Sequence, residues 1–189
     1  ATFSECSTGY SLQMEPCFMP VLTKEILQKY VRKDLPGREI FLVQLQDYTR
    51  QLAKQKMIYI CSMEGILRFL QNGKIPEIPD GLYEIPSVSD RIQIVKALLA
   101  PERATRLRIL KNSIGNTETP VYLYITPKTG TLRLPLATDQ MVNLQIQETG
   151  MLEAFYDFCE NLDEEMFYSF EEAEQIVEEE MKDGDWKTE

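Results

Sequence analysis

The chain has 189 residues, 43% of them apolar, and a formal net charge of −10. Those values suit one domain of ordinary size, or two small ones tightly joined, and exclude a disordered chain. No apolar run approaches the roughly 20 residues that cross a bilayer, and no basic segment followed by an apolar signal core opens the chain. A soluble, cytoplasmic protein is expected.

The sequence contains no histidine. That removes the commonest general base, the commonest zinc ligand and the middle member of Ser-His-Asp and Cys-His systems. Chemistry by carboxylates or lysine is left, and a non-enzyme is expected. Cys6, Cys17, Cys61 and Cys159 form no C-x-x-C pair, which reads as four reduced thiols. A Cys6–Cys17 bridge stays open. The first residue is Ala rather than Met, so trimming or processing is expected and an upstream domain stays open.

Charge is unevenly placed. Residues 148–189 hold sixteen Asp/Glu and two Lys, a balance of −14, whereas residues 1–147 carry +4. An acidic tail on a mildly basic body does not read as a nucleic-acid binder, because such binding rests on neutralising phosphates.

In chain order, residues 1–20 lack periodicity and read as an irregular or extended lead-in. Thr23 caps a helix with Ile26, Leu27, Tyr30 and Val31 on one stripe. "LPG" at 35–37 stops it. A second helix runs from about Arg38 to Lys56, with Phe41, Leu45, Tyr48 and Leu52 at helical spacing. Ser62 caps a third, ended by Asn72-Gly73. "GKIPEIPDGLYEIP", residues 73–86, holds three prolines and two glycines yet spaces four apolar residues. It reads as an ordered strap. It also marks a boundary between a helical part, 1–86, and an α+β part, 87–189, within one compact unit.

Ser87 and Asp90 resemble a capping box ahead of a fourth helix. The period then changes to two. "RLRIL" (106–110), "VYLYI" (121–125), "TLRLPL" (131–136) and "MVNLQIQ" (141–147) alternate, with "TPKTG", the Gly115-Asn116 region and "ATDQ" as turns. Pro135 makes its strand irregular or locally unpaired. Thr149 caps a helix with a wide apolar face, and Ser169 with Glu172 opens a final helix whose other face is nearly all glutamate. The expected fold is α+β: a four-stranded antiparallel meander sheet with an N-terminal helical layer and two C-terminal helices.

Alternation puts Leu107, Ile109, Val121, Leu123, Ile125, Leu132 and Leu144 inward and Arg106, Arg108, Tyr122, Tyr124 and Arg133 outward. Guanidinium forks and phenol rings on a rigid sheet make a recognition surface for a protein partner or a small anionic ligand. The same residues also serve as plain cross-strand pairs on a solvated face. A third option has the acidic terminal helix covering that basic face, or engaging a second copy. The acidic stretches lack the alternating ligands and central Gly of a calcium loop, so no metal or cofactor is expected. A helix-turn-helix among the first three helices is rejected: "KDLPGR" breaks the geometry and no helix presents a basic recognition face.

"MEGILRFLQNGKIPEIP", "DRIQIVKALLA", the strands "RLRIL" and "VYLYITPKTGTLRLPL", and "GMLEAFYDFCENL" together resemble the region that follows the DNA-binding module in bacterial Xre-type helix-turn-helix regulators. The resemblance spans roughly residues 62–165 and lies in element order and hydrophobic pattern. It implies the sensing part of a transcription regulator and assigns no site residues. The leading expectation is a non-catalytic regulatory or interaction module working through the Tyr/Arg face. The rivals are an acidic inhibitor or immunity-type protein acting through its last helix, and a carboxylate-based hydrolase.

Overall fold

The structure, a computed structural model, describes residues 8–54, 56–112, 122–137 and 140–183. Among them, seven strands form one sheet: β1 (Gly9–Leu12), β2 (Met57–Ser62), β3 (Leu107–Leu110), β4 (Tyr122–Ile125), β5 (Gly130–Ala137), β6 (Gln140–Ile146) and β7 (Phe167–Tyr168). Their order across the sheet is β6-β5-β4-β1-β2-β3-β7. β2 lies parallel to both β1 and β3, and every other pair is antiparallel.

The four-stranded antiparallel meander is therefore corrected to a mixed sheet of seven. Only β4, β5 and β6 form a meander. β1 and β2 lie between β4 and β3, so the sheet draws strands from both sides of residue 86. β2, "MIYICS", has Ile60 in one core cluster and Cys61 in the other. A strand buried on both faces reads as a continuous apolar run with no alternation to find. The parallel pairs need long crossovers. α1 (Lys24–Tyr30) and α2 (Arg38–Lys54) lie in the first, α3 (Met63–Asn72) and α4 (Val88–Leu98) in the second.

Local chemistry fixes the helix ends. Thr23 Oγ1 accepts from Ile26 N–H at 3.3 Å and Ser62 Oγ from Gly65 N–H at 3.1 Å. Each satisfies a donor that the first turn leaves without an intrahelical partner. Gly73 closes α3 with φ of 66°, a conformation that glycine adopts without a Cβ penalty. α5 (Thr149–Glu160) is capped not by Thr149 but by Glu148, whose carboxylate accepts from Gly150 and Met151. α6 (Phe170–Asp183) opens with a reciprocal capping box: Ser169 Oγ accepts from Glu172 N–H, and Glu172 Oε2 from Ser169 N–H. None of the described helices is long and apolar enough to cross a membrane.

The sheet separates two cores. On one face α5 packs its Leu152, Tyr156 and Cys159 against Leu12, Ile60, Leu123 and Ile125. On the other, α2, α3, α4 and α6 gather around Cys61, Leu107 and Ile109. Register settles which residues share a face. Leu107 lies beside Tyr59, Tyr59 beside Ser11, Ser11 beside Tyr124, and Tyr124 beside Thr131. Leu107 and Ile109 thus stand on the tyrosine side of the sheet, whereas Leu123 and Ile125 face α5. The expected common inward set is split between the faces, because β3 pairs with β2 rather than with β4. Leu144 was expected inside and is exposed: α5 lies over β1 and β4, and β6 forms the sheet edge.

Pro135 sits at a register shift between β5 and β6, where its missing N–H breaks the ladder. The strap is anchored. Ile75 and Ile78 are buried, Ile75 N–H donates to Tyr83 Oη at 2.7 Å, and Glu84 N–H donates to Tyr30 O. The Gly115-Asn116 turn, Cys6 and Val121 lie outside the described residues.

Candidate functional site

The helical face is left open over β1, β4 and β5, as far as Tyr59 on β2. There the sheet, the end of α2 and the strap enclose a cavity of about 310 Å³. Its floor carries Ser11, Tyr59, Tyr122, Tyr124, Thr131 and Arg133. Its roof carries Tyr48 and Leu52 from α2, with Cys17 and Glu77. Three residues of the expected site, Tyr122, Tyr124 and Arg133, are thus brought together, with Tyr122 paired directly to Arg133 across β4 and β5.

The other two lie elsewhere. Arg108 points to the opposite face, where it pairs with Glu164 Oε1 at 2.5 Å and lies 3.9 Å over the Phe167 ring. Arg106 lines a neighbouring cavity of about 370 Å³ with Arg103 and Leu98. Cys17, Leu52 and Tyr59 line both cavities. The acidic helix α6 does not roof the Tyr/Arg floor. It packs on α3 and β7, with Gln71 Nε2 donating to Glu180 Oε1 at 3.1 Å, beyond β3 at the other end of the sheet.

The roof residues are held by contacts distant in sequence. Ser62 N–H and Oγ–H both donate to Met14 O at 3.0 Å, fixing the segment that leaves β1. Gly65 allows that approach: a Cβ there would lie 2.3 Å from Met14 O. Farther along, Phe18 N–H donates to Glu77 Oε1 at 2.8 Å, tying the strap to the segment after β1. The Cys17 thiol stands beside the Glu77 carboxyl.

Two buried side-chain atoms have no hydrogen-bond partner among the described residues: Tyr59 Oη and Glu77 Oε2. Both residues line this cavity. Burial raises the Glu77 carboxyl, and the Cys17 thiol and nearby backbone N–H groups offset part of that rise. Burial also raises the Tyr59 phenol, and burial followed by the nearby Glu77 carboxylate raises the Cys17 thiol. Tyr48, Tyr122 and Tyr124 are shifted upward chiefly by burial. Tyr122 also hydrogen-bonds Glu15, which lies 3.9 Å from Arg68. At neutral pH the pocket therefore presents intact phenols and a thiol, one buried carboxyl, and an exposed guanidinium on β5.

Comparison with protein-family models, curated proteins and solved structures yields no significant match.

Sequence reasoning missed Tyr48, Tyr59, Glu77 and Cys17. Tyr48 reads as part of an amphipathic helical stripe, and Tyr59 lies in the unrecognised β2. One signal was available for Glu77: it is the acid set between Ile75 and Ile78, two strap residues that bury their side chains.

Proposed function

We propose that this chain is a non-catalytic regulatory or interaction module that binds a small anion-bearing ligand on its Tyr/Arg face. The observation that carries the reading is the cavity itself: tyrosines and Arg133 form the floor, and Tyr48, Leu52, Cys17 and Glu77 face them from the roof. Its volume falls at the lower end of the range for small-molecule sites. Aromatic walls with a few convergent polar groups suit an organic ligand, and the guanidinium suits a carboxylate or phosphate on it. Within the Xre-type resemblance, such a ligand would be the effector of a regulator.

Glu77 is the one carboxylate among the described residues that line the cavity. This favours binding over hydrolysis by a pair of carboxylates, which requires two facing groups. The test is a thermal-shift titration of the full chain with a panel of small carboxylates and phosphate monoesters. At least one class should raise the melting temperature, and Arg133→Glu should abolish the rise while the variant still melts cooperatively. A shift that survives Arg133→Glu would sink the reading.

A further inference from the structure

The cavity carries a second recognition element at the end away from Arg133. Tyr59 belongs to β2 and Arg133 to β5, three strand positions apart, about 14 Å at ~4.8 Å per strand. Near Tyr59 stands Glu77, with its two carboxyl oxygens in unequal environments. Oε1 accepts from Phe18 N–H and so holds the strap in place. Oε2 is buried and has no hydrogen-bond partner among the described residues. Tyr59 Oη is likewise buried and unpartnered. Buried polar atoms without partners are costly and rare, and two of them around one cavity mark a place where a ligand supplies what the protein does not. An anion cannot satisfy a carboxylate oxygen. An N–H donor can, and an ammonium group does so with a charge-assisted bond.

We propose that the cavity takes an amphoteric ligand of the dipeptide or ω-amino acid kind, its amino group on Glu77 Oε2 and Tyr59 Oη and its acidic group at Arg133. The tyrosines and Leu52 between the two ends contact the ligand's carbon chain. This rests on the binding-module reading above and adds the amino end. The spacing disfavours a molecule whose two charges share one carbon and favours one whose charges stand apart.

The experiment is calorimetric titration of the full chain with two probe series. One is ε-aminocaproate against caproate and hexylamine. The other is alanyl-phenylalanine against its N-acetyl derivative, which keeps the shape and removes the cation. The amphoteric member of a series should bind at least about tenfold more tightly than its partner lacking the amine. Glu77→Gln should erase that preference, so that the amphoteric member and its partner lacking the amine bind alike; Gln retains a carbonyl oxygen for Phe18 N–H. Tyr59→Phe serves as the second variant. It should raise the melting temperature of the ligand-free protein and weaken only the amine-bearing probes. Plain acids that bind as well as the amphoteric members, and lose binding in Arg133→Glu, would overturn the amino-end assignment and leave the anion site standing. No binding by any member of either series, together with no thermal shift from the carboxylate and phosphate panel, would overturn both.

Discussion

On the α5 face, Leu12, Ile60 and Leu123 are buried in register with one another across β1, β2 and β4, and Ile125 is buried beside Tyr10. One residue away along the same strands, on the helical face, stand Ser11, Tyr59 and Tyr124, and they border open space. The same three strands build both surfaces. The α5 face spends its side chains on excluding water, at about 1.5–3 kcal/mol for each fully buried aliphatic side chain. The helical face forgoes that gain over half its width and leaves polar atoms unsatisfied. Where a fold leaves buried groups unpaired, the place is more informative about function than where everything is paired.

Breaking the filled face should have the largest effect. Ile125→Ala removes a fully buried side chain and should cost about 2–5 kcal/mol, read from urea or thermal unfolding. Next comes Ser62→Ala, which removes the α3 cap and the hydroxyl bond to Met14 O. A loss of about 1–2 kcal/mol is expected, and ligand affinity should fall with it because the same segment leads to Cys17. Tyr59→Phe should go the other way and stabilise the ligand-free protein by up to about 1 kcal/mol. Arg133→Ala, at an exposed position, should change stability by less than about 0.5 kcal/mol. If Arg133 proved as costly as Ile125, the contrast between the faces would collapse.

pH sharpens the same contrast. Burial pushes the Cys61 thiol up to about 12 and raises the Tyr59 phenol and the Cys17 thiol. The unfolded chain ionises these groups near 9 and 10, and the folded chain does so later. Over that window the unfolded state binds fewer protons, so stability falls as pH rises. Chemical denaturation in steps upward from pH 9 should show the decline, with a shallower slope in Tyr59→Phe. Glu77 obeys the same sign on the acid side. Its raised value makes ionised burial a full cost above its folded pKa, relieved as pH falls towards 4.5. Glu77→Gln should remove that gain.

Legibility followed sequence distance. Caps are written within four residues, so Thr23, Ser62, Ser87 and the Ser169–Glu172 box could be read directly. The "TPKTG" hairpin was equally local, closed by Thr126 N–H donating to Thr129 O at 2.8 Å. β2 stayed hidden because a doubly covered strand does not alternate, and β1 and β7 because four and two residues are too short for a period. With β2 unseen, β3 was joined to β4, and Arg106 and Arg108 were added to a face that β3 does not share in that way. Tyr122, Tyr124 and Arg133 were found because two adjacent strands of one hairpin suffice to group them. Glu77 was not, because only tertiary packing brings the strap over the sheet.

The position of β1 sets an order of events in the life of the chain. Of the described strands it is the first to be made, and it lies at the centre of the sheet. Its partner β4 stands well over half the chain length away, as the pairing of Tyr10 with Ile125 records. Pairings that distant slow folding, since the intervening loop must close before they contribute. During synthesis β1 can add to β2 early, but its other edge waits until residue 125 has emerged. Until then one edge of a central strand is bare, the edge that later floors the cavity, so the cavity is among the last features to appear.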